Sequence, residues 1–228
     1  MMNKLIDYYK NLYAKYGYNE SSLGWTKHKQ YLRFKQLFRF FQLKEGDSIL
    51  DVGCGFGDMR AYLHDAYQFP VSYMGIDAVE GFIERAIEQN KKYDDAKFFC
   101  GDFLQADKRF EDMKVDYIVA SGIFGYKIYN DTERMYQYIE NMIKKALKMA
   151  HGGVALNFLS NKVDYHTGKM DFHASPEKVL KICYSYTRNI VLDNSVMPFE
   201  YAVTLFPNQE FSKSTTIFDR YLELYEKS

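Results

Sequence analysis

The chain has 228 residues with 30 basic and 30 acidic side chains, so its formal net charge at pH 7 is zero. Such a chain lacks the basic field that holds a polyanion through its phosphates, which argues against nucleic acid as a partner. Its three cysteines are scattered and fit no metal-binding spacing, a pattern typical of reduced thiols in the cytoplasm. No stretch has the apolar length of a membrane span or a signal peptide, so we expect no membrane partner.

The first part of the chain is predicted to be helical. Residues 3–16 have the spacing of a short amphipathic helix, and residues 27–41 have that of a second helix with Thr26 as its cap. A turn-rich segment connects the two helices and ends at Trp25, the only tryptophan of the chain.

The most informative stretch is residues 49–59, an apolar run that leads into an acidic residue and three alternate glycines. The apolar run predicts a buried strand, and the residues after the glycines predict a helix packed back on it. Gly53, Gly55 and Gly57 permit a positive φ and carry no Cβ, so a ligand can lie against bare backbone at the start of the helix. This loop suits any cofactor that contains a nucleoside.

The spacing of the glycines narrows the choice of cofactor. In the dinucleotide fingerprint the third glycine comes three places after the second, whereas Gly57 follows Gly55 by only two. Asp51 lies two residues before the first glycine. The pattern D-x-G-x-G-x-G resembles motif I of the class I S-adenosylmethionine-dependent methyltransferases. The alternative is a structural glycine turn in an unrelated α/β protein.

Two more carboxylates follow predicted strands. Asp77 comes after the strand 72–76, near the ~20 residues beyond the glycine loop where a carboxylate is expected to accept hydrogen bonds from ribose hydroxyls. Asp102 comes soon after the strand 96–100. Because the carboxyl ends of neighbouring parallel strands meet at one edge of a sheet, we expect these acids to lie near Asp51.

The second half of the chain continues the alternation of strands and helices. Strands are predicted at residues 115–120 and 154–158, with a long helix between them that Gly152 and Gly153 are predicted to stop. Ser175 and Pro176 predict the start of a further helix, which extends to about residue 188.

The chain closes with two predicted antiparallel strands, residues 190–192 and 201–206. A dinucleotide-binding fold would close with another parallel strand, whereas a terminal antiparallel hairpin resembles the ending of the class I methyltransferases. The resemblance covers roughly residues 25–206. It implies an α/β fold with a Rossmann-like, doubly wound sheet of seven strands, mostly parallel with a C-terminal antiparallel hairpin, and helices on both faces. It also implies a helical lid segment over residues 1–45 and one compact methyltransferase domain over residues 46–228.

The cofactor that the resemblance implies is S-adenosyl-L-methionine. In the family the acid of motif I helps to hold the ammonium group of the cofactor, and the acid after the third strand accepts the adenine amino group. On this basis the predicted cofactor-binding residues are Trp25, Asp51, Gly53, Cys54, Gly55, Asp77, Ala78, Asp102, Phe103 and Ser121. Two of them have a structural alternative. Trp25 is either a lid residue or a hydrophobic anchor, and Asp102 can also cap the next helix.

The segment 160–174 follows the fifth strand at the edge where ligands bind in open α/β sheets. It contains Tyr165, His166 and His173, which we predict as catalytic candidates, with histidine as the natural base near neutral pH. The alternatives are solvated loop histidines or a metal pair that the two histidines form with Asp164. We predict no metal.

The predicted activity is methylation of a small molecule, with oxygen as the favoured acceptor. After the fourth strand the chain has neither the Asn/Asp-Pro-Pro-Tyr/Phe sequence of enzymes that methylate nucleobase or amide nitrogens nor the glutamate pair of arginine methyltransferases. The resemblance extends to small cytoplasmic enzymes that O-methylate a sugar or another hydroxyl or phosphoryl oxygen in surface-glycan or specialised-metabolite biosynthesis. A homodimer is left open. The alternatives are a nicotinamide-dependent oxidoreductase and a non-catalytic module that binds S-adenosylmethionine.

Overall fold

The computed structural model describes residues 2–24, 26–105, 110, 112–165 and 167–207. Within these ranges helices and strands alternate along most of the chain. In chain order they are α1 (Met2–Tyr16), α2 (Glu20–Leu23), α3 (Lys27–Phe38), β1 (Ser48–Val52), α4 (Asp58–Ala66), β2 (Ser72–Asp77), α5 (Glu80–Asn90), β3 (Ala96–Cys100), β4 (Val115–Ala120), α6 (Thr132–Met149), β5 (Ala150–Leu159), α7 (Pro176–Tyr184), β6 (Asn189–Asp193) and β7 (Glu200–Phe206).

The strands form one seven-stranded sheet in the order β3-β2-β1-β4-β5-β7-β6. The pairs among β1 to β5 are parallel, and β7 is antiparallel to both β5 and β6. The predicted fold class is therefore confirmed, including the antiparallel hairpin at the end. The strand order reverses between β1 and β4, and in open α/β sheets ligands bind outside the carboxyl ends of the strands at this point.

Alternate residues of the central strands enter two apolar cores on opposite faces of the sheet. Leu50 and Ile118 belong to the core that α6 and α7 cover, whereas Ile49 and Val119 belong to the core that α3 and α4 cover. Since successive side chains of a strand point to opposite faces, both faces of β1 and β4 are buried. This explains why these strands are nearly continuous apolar runs in the sequence.

Several predicted element ends differ from the structure. The helix predicted over residues 27–41 is α3, which ends at Phe38. Phe41 still packs against Tyr117, with ring centroids 4.4 Å apart. The helix that starts at Pro176 ends at Tyr184 rather than near residue 188. The short helix α2 occupies part of the segment predicted as turns.

None of the helices that the structure describes is long and apolar enough to span a bilayer.

The prediction that Gly152 and Gly153 stop the long helix is wrong. The helix ends at Met149, and both glycines lie inside β5. Their role is close packing. A Cβ on Gly152 would lie 2.7 Å from Cε1 of Tyr117, and one on Gly153 would lie 2.8 Å from Cε1 of Phe41. Any side chain there would collide with an aromatic ring of the core.

Candidate functional site

A cavity opens at the carboxyl ends of β1 to β4, where the strand order reverses. It encloses about 1170 Å³, including open solvent at its mouth. The loops that follow the strands form its floor. Its roof comes from the first three helices. Most of the residues there are apolar, namely Leu5, Ile6, Tyr9, Leu23 and Phe34, and Gln30 and Arg33 of α3 add polar groups.

The glycine loop after β1 presents bare backbone to this cavity. Gly53, Gly55 and Gly57 have φ angles of 75°, 54° and 72°, a region that residues with a side chain rarely adopt. A Cβ on Gly53 would lie only 2.2 Å from Cγ2 of Ile123, in the loop after β4. The loops after β1 and β4 therefore approach each other as closely as they do only because Gly53 has no side chain.

Asp51 is the carboxylate at the end of β1, and its side chain is almost fully buried. Its Oδ2 accepts a hydrogen bond of 2.6 Å from the hydroxyl of Tyr73. Burial raises the pKa of Asp51 to about 7, the Tyr73 bond opposes this rise, and the nearby Asp77 and Asp58 add to it. No cation is paired with Asp51 among the described residues. A positively charged ligand group would therefore fit here, because it would offset the cost of burying the carboxylate.

Asp77, at the end of β2, connects its strand to the glycine loop. Its Oδ2 accepts a hydrogen bond from the backbone N–H of Gly55 at 2.9 Å, and its Oδ1 accepts one from the N–H of Val79 at 2.9 Å. Burial raises the pKa of Asp77, and these backbone hydrogen bonds oppose the rise. An ionised carboxylate has about four acceptor positions, so Asp77 can still accept hydrogen bonds from ligand hydroxyls.

Asp102 caps a turn and also lines the cavity. Its Oδ1 accepts a hydrogen bond of 2.9 Å from the backbone N–H of Leu104, so it caps the turn that follows β3. It also lines the cavity, together with the buried Phe103. The capping alternative and a contact with a ligand therefore do not exclude each other.

The structure brings nearly all of the predicted cofactor residues together. Those that line the cavity are Asp51, Gly53, Cys54, Gly55, Asp77, Ala78, Asp102, Phe103 and Ser121. Trp25 lies outside the described residues. The part that each residue takes in holding a cofactor stays a prediction.

Neither Tyr165 nor His173 is among the described residues that line the cavity. Nδ1 of His173 lies 2.7 Å from the carbonyl oxygen of Ser160, so Nδ1 carries the proton and Nε2 is the basic nitrogen. Tyr165 is exposed and packs edge-on against Phe199, with ring centroids 5.0 Å apart. His166 lies outside the described residues. In the described ranges no three His, Cys, Asp or Glu side chains are grouped to hold a metal ion.

Sequence reasoning missed a buried polar network beside the cavity. Arg33, which lines the cavity, forms a two-pronged ion pair with Glu200 at 2.6 and 2.5 Å. Asn157 donates a hydrogen bond of 3.4 Å to Glu200 and accepts one of 2.7 Å from the N–H of Gly122. The signal in the sequence is Asn157, an amide residue in an apolar part of β5, because such residues are rarely buried without partners.

The aromatic part of the roof was also missed. The hydroxyl of Tyr126, which lines the cavity, donates a hydrogen bond of 2.8 Å to the hydroxyl of Tyr8 in α1. Tyr9 in the same helix is half-buried, and desolvation raises its pKa above the usual range of a tyrosine. These contacts hold α1 against the loop after β4.

Comparison with known proteins gives the family. A family model described as a methyltransferase domain matches residues 43–167, more than half of the chain. A Mycobacterium tuberculosis protein whose name assigns it provisionally to the methyltransferases is 27% identical over 158 residues, which cover 68% of this chain and 90% of that protein.

Solved structures share the fold at low sequence identity. Magnesium protoporphyrin IX methyltransferase from Synechocystis PCC 6803, with bound S-adenosylhomocysteine, superposes with a TM-score of 0.59 at 15% identity and covers 90% of this chain and 94% of its own. An N-methyltransferase from Bradyrhizobium japonicum, also with S-adenosylhomocysteine, has a TM-score of 0.58 at 16% identity and covers 80% of this chain and 88% of its own. Together with the family match and the cavity, these likenesses lead to one conclusion: the chain belongs to the methyltransferase domain family, as a class I enzyme whose cofactor is S-adenosylmethionine.

Proposed function

We propose that this enzyme methylates an oxygen atom of a small molecule: a sugar or another hydroxyl or phosphoryl compound of surface-glycan or specialised-metabolite biosynthesis. The observation that carries the small-molecule part is the roofed cavity. Side chains of α1, α2 and α3 lie over the carboxyl edge of the sheet, so an acceptor must fit between this roof and the loops below. The zero net charge supports the same conclusion, because a nucleic acid substrate would require a basic surface.

The residues of the floor suit the cofactor from one end to the other. In the proposed arrangement Asp51 holds the ammonium group, Asp77 accepts hydrogen bonds from the ribose, and Asp102 and the N–H of Phe103 bind the adenine. Gly53 and Gly55 line the cavity without a side chain, so a ligand could lie against their backbone. S-adenosylmethionine supplies a methyl group that is already activated, so the main task of the protein is to align donor and acceptor. Alignment contributes up to ~7–11 kcal/mol to such reactions.

The need for a base depends on the acceptor. A sugar hydroxyl must lose its proton during transfer, whereas a phosphoryl oxygen has none to lose at neutral pH. No histidine lines the cavity in the part of the chain that the structure describes, which favours an acceptor of the second kind. For a hydroxyl acceptor, His173 is the proposed base, because its Nδ1 proton is bound to Ser160 and Nε2 is left to accept a proton.

We also propose that residues 1–45 act as a lid over the domain formed by residues 46–228. Support comes from the contacts of α1, whose Leu5, Ile6 and Tyr9 line the cavity. The reduced thiols of Cys54, Cys100 and Cys183 fit the proposed cytoplasmic location. The proposed partner is the acceptor alone, without nucleic acid or membrane. Gel filtration would distinguish a monomer from the homodimer that the sequence left open.

The test is transfer of labelled methyl from S-adenosylmethionine into a lysate of the source organism, followed by separation into metabolites, protein and nucleic acid. We expect label in the metabolite fraction, from which the product can be identified. Label in a macromolecule would contradict the small-molecule proposal. Absence of label, with S-adenosylhomocysteine binding intact, would favour a non-catalytic module. The matched control is Asp51→Asn, which should remove the label.

A further inference from the structure

We propose that Tyr73 is a positioning residue of the cofactor site: its buried hydroxyl orients the Asp51 carboxylate to receive the ammonium group of the cofactor. Tyr73 was not among the predicted site residues, and it does not line the cavity. It acts through Asp51, so the inference rests on the role proposed above for that carboxylate.

The register of β1 and β2 explains how Tyr73 reaches Asp51. Asp51 lies opposite Gly75, and Tyr73 precedes Gly75 by two residues, so all three belong to the same face of the sheet. Gly75 has no side chain, and a Cβ there would lie 2.7 Å from Sγ of Cys54 and 2.8 Å from Cδ1 of Phe98. Cys54 and Phe98 fill the place of that side chain, and the hydroxyl of Tyr73, from two residues earlier on the same face, lies 2.6 Å from Oδ2 of Asp51.

Packing fixes this hydroxyl in one place. Tyr73 is fully buried, and its ring centroid lies 5.7 Å from that of Phe98. A buried tyrosine hydroxyl requires a hydrogen-bond partner, and Asp51 is the partner here. The bond engages Oδ2 and leaves Oδ1 as an acceptor. A carboxylate held at one oxygen by a rigid donor presents the other oxygen in a defined direction, which is the property that binding an ammonium group requires.

The charges around Asp51 make this hydroxyl more important. The titratable groups near the carboxylate are acidic: Asp77 at the end of β2, Asp58 at the start of α4 and the buried thiol of Cys54. The cation that lines the same cavity, Arg33 of α3, is bound to Glu200. Among the described neighbours, the Tyr73 hydrogen bond is therefore the interaction that favours the ionised form of Asp51. It opposes the effect of burial, and the resulting pKa of Asp51 is about 7.

Two consequences follow for ligand binding. A ligand that carries an ammonium group binds to the ionised carboxylate, so its binding near neutral pH should release a proton and its affinity should rise with pH. Removal of the Tyr73 hydroxyl should raise the pKa of Asp51 and weaken such a ligand. A ligand without an ammonium group should show neither effect.

The experiment compares two ligands on wild type and Tyr73→Phe by calorimetry from pH 6 to pH 8.5. S-adenosylhomocysteine has the amino-acid end, whereas 5′-methylthioadenosine has the nucleoside and the thioether but no ammonium group. At pH 7 the substitution should weaken the binding of S-adenosylhomocysteine about tenfold, as expected for the loss of a hydrogen bond to a charged group. It should change the affinity for 5′-methylthioadenosine less than twofold. The midpoint of the pH dependence should move to higher pH.

Tyr117→Phe is the matched control, because Tyr117 is a buried tyrosine of the same core whose hydroxyl donates to the carbonyl of Gln42 at 3.3 Å. This variant should leave the affinities of both ligands unchanged. In an Asp51→Asn background Tyr73→Phe should cause no further loss, since neighbouring residues that act through one another are not additive.

Equal weakening of both ligands by Tyr73→Phe would overturn the inference, because it would indicate a general structural role. Unchanged affinity for both ligands would overturn it as well. If Tyr73→Phe does not fold, calorimetry of the wild type in two buffers with different ionisation enthalpies decides: binding of S-adenosylhomocysteine without proton release at pH 6.5 contradicts the inference. Failure of the proposed function is a different result, in which the wild type binds neither ligand.

Discussion

Two parts of the cavity are built in different ways: the part around Asp51, Gly53 and Asp77, proposed to bind the cofactor and called the cofactor half, and the part around Arg33 and Tyr126, proposed to face the acceptor and called the acceptor half. In the cofactor half, the bonds that hold the carboxylates connect residues close in sequence: Asp77 to Gly55 and Tyr73 to Asp51 are each separated by 22 positions. In the acceptor half, Tyr8 bonds to Tyr126 across 118 positions and Arg33 to Glu200 across 167. The cofactor half is thus a property of neighbouring β–α units, whereas the acceptor half depends on the whole fold. This difference suggests that damage to the two halves will have different consequences.

The largest expected effect lies in the acceptor half. Arg33→Met removes the cation from a buried ion pair and leaves Glu200 uncompensated, so we expect the free energy of unfolding to fall by about 3–5 kcal/mol, measured by urea denaturation. The double variant with Glu200→Met should recover most of this loss. The matched control is Arg39→Met in the turn just after α3, where the exposed Arg39 pairs with Asp193 at 3.2 Å; its cost should be below ~1 kcal/mol. An equal loss of stability in Arg33→Met and Arg39→Met would contradict the special dependence of the acceptor half on its buried ion pair.

Gly53→Ala tests the cofactor half. The new Cβ would lie 2.2 Å from Cγ2 of Ile123 and would require a φ of 75°, so the loops after β1 and β4 must separate. We expect S-adenosylhomocysteine to bind at least ~100-fold more weakly, or about 2.7 kcal/mol. Gly46→Ala separates the effect of the positive φ from that of the collision, because Gly46 has a φ of 84° but nothing within 4 Å of the added Cβ. It should cost about 1–2 kcal/mol of stability and leave ligand binding intact.

The pH dependence sharpens the description of the cofactor half. With the pKa of Asp51 at about 7 in the ligand-free protein, the ionised fraction falls about tenfold between pH 8 and pH 6. The affinity for S-adenosylhomocysteine should therefore fall about tenfold over this range, and Asp51→Asn should bind weakly and independently of pH. The stability of the protein depends on pH in the opposite direction. Burial raises the pKa of Asp51 above its value in the unfolded chain, so the contribution of Asp51 to the free energy of unfolding is present below pH 4 and is lost as the pH rises through 7. An affinity that increases on acidification would contradict this account.

The smallest expected effect concerns the roof. Tyr8→Phe removes the hydroxyl that accepts the hydrogen bond from Tyr126, in a residue that is 42% exposed. Water can replace this bond, so we expect the dissociation rate of S-adenosylhomocysteine to rise only two- to threefold, about 0.5 kcal/mol, with unchanged thermal stability. Tyr16→Phe on the same helix, equally exposed, should have no effect on the rate measured by stopped-flow fluorescence. A tenfold change for Tyr8→Phe would make the roof as important for binding as the floor.

Much of the cofactor half could be predicted before the fold was known. A strand that ends in an acid and a glycine turn carries its chemistry in consecutive residues, and parallel strands bring Asp51, Asp77 and Asp102 to one edge. Tyr73 could not be predicted in the same way. In the sequence it is one of 21 tyrosines, and only the register of β1 against β2 places its hydroxyl beside Asp51.

The acceptor half could be predicted only in part. The segment 160–174 was expected at the ligand edge, yet Tyr165 and His173 do not line the cavity, and His166 and Trp25 lie outside the described residues. The bond from His173 to Ser160 instead ties the loop back to the end of its own strand. Glu200 looks like an ordinary acid at the start of a strand until Arg33 is seen beside it.

The sequence by itself indicated the strand and helix order and the sheet edge that carries the cavity, and its resemblance to the class I methyltransferases implied the fold class and the cofactor. The element order and the sheet edge depend on apolar periodicity and on residues at short spacing, which act through local backbone geometry. The tertiary structure alone decided that Tyr8 of α1 meets Tyr126, that Arg33 meets Glu200, and that Tyr73 holds Asp51. These contacts join elements far apart in the chain or side chains on neighbouring strands. Their formation depends on strand register and helix packing, which no short stretch of sequence specifies.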